Sequence, residues 1–98
     1  MGFLNVKTNY SVYKNCMLRL GRYMSDGSLA VEIYNRQDGE IARLTTCLCD
    51  PTLPEDMAYV DTNNCPWAVA FLEENGLAEK TGRTKRSEYC VYPAMRFN

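Results

Sequence analysis

The sequence predicts an α+β fold: an antiparallel sheet of four or five strands with one short helix packed on a face. Two observations carry that expectation. Asp26-Gly27 and Asp38-Gly39 interrupt a stretch of alternating apolar and polar residues that runs from Cys16 to Leu48, the pattern of strands joined by tight hairpins. Further on, Trp67 and Phe71 stand four apart with Ala68 and Leu72 beside them, which makes one apolar stripe at helical spacing. The 98 residues fit a single domain, 1–98, because two domains of half that size would each bury too small a core.

The first predicted strand covers Cys16 to Met24. Its even positions, Cys16, Leu18, Leu20, Arg22 and Met24, form a mostly apolar face, and the odd positions are mixed. Ser25-Asp26-Gly27-Ser28 supplies the positive-φ residues of a hairpin turn. Leu29 to Tyr34 alternates next, with Leu29, Val31 and Ile33 inward and Ala30, Glu32 and Tyr34 outward. After Asp38-Gly39, the strand from Glu40 to Leu48 puts Ala42, Leu44, Thr46 and Leu48 on the core face. The outward phases carry Arg19, Glu32 and Arg43, so an aligned register places Glu32 between two arginines. Exposed pairs of that kind contribute only ~0–1 kcal/mol each. Tyr23 and Tyr34 share the outward phase and are candidate contact residues.

Pro51 and Pro54 break the pattern, and Met57-Ala58-Tyr59-Val60 reads as a short strand. Asp61-Thr62-Asn63-Asn64 then suits a helix cap and a strand-to-helix turn closed by local side-chain bonds. Pro66 suits the first helical turn, where its missing N–H would be unpaired anyway. Asn75-Gly76-Leu77 gives the exit: glycine in the left-handed conformation and Leu77 folded back on Leu72, as in a Schellman cap. The helix spans about two and a half turns. Lys80 to Arg86 reads as a polar loop. Tyr89 to Tyr92 reads as a strand that Pro93 confines to a sheet edge or ends.

Charge is distributed unevenly along the chain. From Leu44 through Glu79 there is no lysine or arginine, and Asp50, Glu55, Asp56, Asp61, Glu73, Glu74 and Glu79 fall inside that gap. The segment carries about −7 and the remainder about +6, so the net charge of −1 conceals two opposed fields. Such asymmetry bears on partners rather than on fold. The one basic cluster, Lys80, Arg83, Lys85 and Arg86, is the candidate phosphate-contacting surface. No helix-turn-helix, zinc-finger or RNA-binding aromatic motif accompanies it.

Catalysis finds little support. The chain has no histidine, the commonest general base. It has no nucleophile elbow and no dinucleotide fingerprint, so no catalytic residue and no cofactor is expected. The five cysteines, Cys16, Cys47, Cys49, Cys65 and Cys90, are an odd set without regular spacing, unlike a secreted disulfide framework. Cys47 and Cys49 supply half a metal site, but no second pair follows, so the expectation is buried reduced thiols and no metal. No apolar run reaches the ~18–20 residues that cross a bilayer. The first residues lack a signal-peptide pattern, and Gly2 is not followed by the residues that favour acylation. The expected location is the cytoplasm, with no membrane association.

The C-terminal half carries a recognisable run of residues. Leu53-Pro54-Glu55-Asp56 is followed by Val60-Asp61-Thr62-Asn63-Asn64, then Pro66-Trp67, Phe71, Glu73-Glu74-Asn75-Gly76-Leu77, Thr81-Gly82-Arg83 and Tyr92-Pro93. This pattern resembles an uncharacterised family of small proteins carried on conjugative elements and related mobile DNA of Firmicutes. It covers positions 50–97 well and the preceding strands loosely. Where that pattern has Ser-Gly-aromatic, this chain has Ser87-Glu88-Tyr89. The resemblance implies a genomic neighbourhood and no catalytic residue.

The functional expectation is therefore a non-enzymatic protein-interaction module of a mobile element. An acidic surface made of Asp50, Glu55, Asp56, Asp61, Glu73, Glu74 and Glu79 would compete for the basic groove of a host defence nucleoprotein, as an anti-CRISPR or anti-restriction inhibitor does. The alternative is a nucleic-acid-binding accessory protein that uses Lys80, Arg83, Lys85 and Arg86, helped by Arg19, Arg22 and Arg43. Oligomeric state is left open.

Overall fold

A computed structural model describes residues 4–98; residues 1–3, with the Gly2 weighed above, lie outside them. The described chain is mostly β, with two four-stranded antiparallel sheets and one short helix. The first sheet has the order β1-β2-β3-β4, built from Leu4–Lys7, Val12–Arg22, Leu29–Asn35 and Gly39–Arg43. The second has the order β5-β6-β8-β7, from Thr45–Thr46, Met57–Val60, Ala78–Ser87 (β7) and Cys90–Phe97 (β8). Helix α1, Ala68–Glu74, lies between β6 and β7 in the chain. The antiparallel strands and the helix are those expected, but the strands divide between two sheets.

The division occurs at one residue. Leu44, fully buried, separates β4 from β5. Its N–H donates to the Val31 carbonyl of β3 (2.8 Å), and its carbonyl accepts from Asp61 N–H beyond β6 (2.8 Å). The next residue repeats the link, since Thr45 Oγ1 accepts from Val31 N–H at 3.0 Å. Alternation runs unbroken through Arg43-Leu44-Thr45, so the change of sheet leaves no mark in the sequence pattern.

Val6, Cys16, Val31 and Ile33 from the first sheet pack with Val60, Met95 and Phe97 from the second, and Ala68, Phe71 and Leu72 of α1 join the same core. The inward phases Leu29, Val31 and Ile33 are buried as expected. Leu20 and Met24 share that expected inward phase, yet Leu20 is half exposed and Met24 stands in solvent; among the described residues β1 pairs with β2 only at Val12, Tyr13 and Cys16, so Leu20 has a strand neighbour on the β3 side alone. Strand β1 adds to the expected strands. It pairs with β2 through a register shift between Leu4 and Val6, close to Asn15, whose φ is +58°. A second cluster, Met57, Tyr59 and Ala94 with Leu48, Leu53 and Tyr92, lies elsewhere on the second sheet.

The helix is a little shorter than expected. It starts at Ala68, with Trp67 in the N-cap position and no side-chain cap bond. Asp61 instead closes the strand-to-helix turn: its carboxylate accepts from Asn64 N–H (3.3 Å) and Nδ2 (2.9 Å), and its carbonyl accepts from Cys65 N–H (2.8 Å). The exit follows the predicted motif. Gly76 has φ +65°, and Leu77 N–H donates to the Leu72 carbonyl at 2.9 Å, the long back-bond of a Schellman cap.

One expected loop is a strand. Lys80 to Arg86 belongs to β7, paired with β8 from Ala78↔Phe97 to Ser87↔Cys90 with a register shift between Lys80 and Thr84. Basic residues suit this place because β7 is a sheet edge, where charged side chains deter pairing with another chain. Pro93 does not end β8. It lies opposite Thr84, while β6 pairs only with Ala94, Met95 and Arg96, so the proline sits where β8 has one neighbour and its missing N–H breaks no ladder.

Candidate functional site

Four of the seven carboxylates of the lysine- and arginine-free segment meet cations from outside it. Asp50 is the most enclosed. Its Oδ1 accepts from Thr52 N–H (3.0 Å) and Thr52 Oγ1 (2.7 Å), and its Oδ2 accepts from Tyr59 Oη (2.7 Å) and Arg83 Nη2 (2.8 Å). Arg83 also donates to the Thr52 carbonyl at 3.4 Å and to the Thr52 hydroxyl. These bonds, led by the one from Tyr59, hold the Asp50 carboxyl well below the usual carboxylate range. Burial, with Asp50 as a second cause, pushes the Tyr59 phenol up. Arg83 thereby ties edge strand β7 to the Asp50–Thr52 turn.

Arg96 takes two more of the acids. Register places Arg96 opposite both Met57 and Glu79, so the three side chains share one face of the second sheet. Arg96 Nε lies 3.3 Å from Asp56 and Nη1 lies 3.6 Å from Glu79. Lys80 Nζ lies 3.5 Å from Glu73 at the helix. Asp50, Asp56, Glu73 and Glu79 are thus four carboxylates in ion pairs. Glu55, Asp61 and Glu74 make no salt bridge among the described residues. The Glu55 carbonyl accepts from Arg22 Nη1 (3.0 Å), Asp61 serves the turn, and Glu74 is exposed at the last helical residue.

The basic candidates divide in the same way. Arg83 and Lys80 are engaged by Asp50 and Glu73. Lys85 and Arg86 make no salt bridge among the described residues, and Arg86 Nε donates to the Glu88 carbonyl (3.3 Å). Both lie on the outer half of the β7–β8 hairpin, opposite Tyr92 and Val91. This ribbon ends in a two-residue turn, with Ser87 paired to Cys90 and Glu88 at φ +56°. At its tip Tyr89 is 96 % exposed, and Val91 is 55 % exposed. The sequence marked this segment as a strand but gave no reason to single out Tyr89.

On the outer face of the first sheet, the expected trio is in register: Arg19 opposes Glu32, and Glu32 opposes Arg43. Arg43 Nη2 lies 3.4 Å from Glu32. The two outward tyrosines are covered rather than available, with Arg19 4.5 Å above the Tyr34 ring and Arg43 5.8 Å above that of Tyr23. Tyr23 Oη also donates to the Thr45 carbonyl at 3.0 Å. The Asp-Thr-Asn-Asn-x-Pro-Trp run contributes Asp61, Asn64 and Trp67 to the lining of a cleft of about 370 Å³ that also includes Tyr10 and Tyr13.

The cysteines correct the sequence reading in part. Cys16 and Cys65 are buried, but Cys49 is exposed and Cys47 and Cys90 are half-buried. Cys49 has φ +53°, and its Sγ lies 3.8 Å from that of Cys47. With Asp26, these two make the one grouping of metal-ligating side chains found among the described residues. The Cys-x-Cys spacing was the available signal; Asp26 lies in a distant turn and gave none.

The chain belongs to the family of the domain of unknown function DUF4313, whose model matches residues 17–98. No curated protein and no solved structure matches. No described helix is long and apolar enough to cross a membrane.

Proposed function

We propose that the chain is a non-enzymatic protein-interaction module of a mobile element, and that a partner protein docks on the outer half of the β7–β8 hairpin. The observation that carries the proposal is the tip of that ribbon, where Tyr89 and Val91 stand in solvent beside Arg86 and Lys85. Tyrosine and arginine are enriched among the residues that anchor interfaces; tyrosine offers large contact area at low entropic cost, and arginine offers a planar fork of hydrogen-bond donors. The ribbon is also held from below: Tyr92 packs against the second cluster, and Arg83 ties β7 to the Asp50 turn. A pre-formed element loses less freedom on binding.

An acidic inhibitor of a basic nucleoprotein needs carboxylates available to a groove. Asp50, Asp56, Glu73 and Glu79 face cations within the molecule, which leaves Glu55, Asp61 and Glu74 for that form of the reading. Hence the hairpin, rather than the anionic segment, is the favoured contact. Inhibition of a defence system is one outcome that docking there would have.

The nucleic-acid reading keeps one supporting observation: Lys85 and Arg86 lie on a two-stranded ribbon, a shape that enters a major groove. Gel shifts with duplex and single-stranded DNA across a salt series separate the two. We expect no shift at moderate salt. A salt-dependent shift lost in Lys85→Ala/Arg86→Ala replaces the protein-docking proposal with the accessory one. In parallel, a partner recovered from a host lysate by wild-type chain should be lost with Tyr89→Ala/Val91→Ser and kept with Glu55→Gln/Glu74→Gln. The reverse pattern moves the contact to the acids.

A further inference from the structure

We infer that Asp26, Cys47 and Cys49 form a binding site for a thiophilic divalent cation of the zinc class. The three side chains each offer one donor atom, and these atoms lie within 4.8 Å of one another. Cys47 Sγ is 3.8 Å from Cys49 Sγ and 3.4 Å from Asp26 Oδ2. A tetrahedral zinc with bonds of about 2.3 Å to sulfur and about 2.0 Å to oxygen sets edges of about 3.8 Å between sulfurs and about 3.5 Å between sulfur and oxygen. Two edges of that tetrahedron are therefore present without rearrangement.

The surroundings orient the donors. Asp26 Oδ1 accepts from Ser28 N–H (2.9 Å) and Ser28 Oγ (2.6 Å), which fixes the carboxylate and leaves Oδ2 directed at Cys47. Ser25 Oγ lies 3.6 Å from Cys47 Sγ, where its hydroxyl can donate to a thiolate. Outer contacts of this kind orient ligands and tune a metal site. Asp26 and Cys49 both border a cleft of about 450 Å³, so a fourth position is open to water. On binding, each thiol releases its proton to solvent, and two thiolates with one carboxylate bring a divalent ion to a net charge of −1.

The soft sulfur pair selects zinc over magnesium or calcium, which prefer sites built wholly of oxygen. A cation here would bridge the β2–β3 turn to the segment after β5, and so join one end of the first sheet to the second.

Reduced full-length chain titrated with cobalt(II), then competed with zinc, tests the site. The expected result is a thiolate-to-cobalt charge-transfer band that saturates at one ion per chain and is bleached by zinc. Cys47→Ser and Cys49→Ser should each weaken zinc binding by at least about 100-fold, and Asp26→Asn by about 10-fold, as losses of direct ligands. Cys90→Ser should bind as wild type. Circular dichroism of each variant separates lost ligands from lost fold: Asp26 lies in a turn, and Cys47 and Cys49 lie in the irregular segment after β5. The inference is overturned if no band appears with the thiols reduced, or if binding persists in folded Cys47→Ser and Cys49→Ser.

Discussion

Glu88 lies in the left-handed region at φ +56°, where glycine fits without strain. A side chain with a Cβ costs roughly 1–2 kcal/mol in the left-handed region, while glycine adopts it freely at some cost in unfolded-state entropy. Glu88→Gly should therefore raise stability by about 1 kcal/mol, the difference of those two effects, read as a higher urea midpoint with unchanged slope. A lower midpoint would mean that the glutamate side chain supports the turn. Asp50 gives a second prediction at this scale, with a definite sign. Tyr59, Thr52 and Arg83 depress its folded-state pKa, so its stabilising contribution is full above the unfolded value of about 3.9 and is lost as pH falls below that toward the folded value. Urea midpoints at pH 6 and pH 3 should fall steeply for the wild type and less steeply for Asp50→Asn. Equal slopes would remove Asp50 from the acid response. The sequence showed the acid and the arginine, but nothing in it joined positions 50 and 83.

At the scale of elements, legibility followed the strength of local chemistry. The two Asp-Gly hairpins and the helix exit were readable because each requires a residue with positive φ, and glycine supplies it. Gly76, at φ +65°, tests this point: Gly76→Ala should cost about 1 kcal/mol through the strained cap alone, seen as a lower midpoint with the fold retained. No loss would show that the helix end does not depend on the left-handed residue. Strand β7 was hidden for the opposite reason. Its run of lysine and arginine protects an open edge, and charge that defends an edge looks like a solvated loop when read along the chain. Strand β1, four residues paired through a register shift, is too short to display alternation. The Asp61–Asn64 run suits both a cap and a turn, and only the turn is made, since the helix begins later without a side-chain cap.

For the whole molecule, the sequence carried the antiparallel strands and the helix but not their division into two sheets, which depends on the backbone bonds of Leu44 to both sides. Leu44 is fully buried, and truncating such a side chain costs roughly 2–5 kcal/mol. Leu44→Ala should lower stability by about 3 kcal/mol in one transition, with Trp67 fluorescence and far-ultraviolet dichroism changing together. Separate transitions would mean that the sheets unfold independently. The opposed charge fields of the sequence largely meet in space: Arg83, Arg96 and Lys80 neutralise Asp50, Asp56, Glu79 and Glu73. What extends outward is a ribbon with Tyr89 at its end. The most direct test places a photo-crosslinking residue at Tyr89, or at Glu74 as the comparison, and irradiates host cells that express the chain. The account predicts one discrete protein adduct from position 89 and none from position 74. An adduct from position 74 with none from position 89 would contradict it.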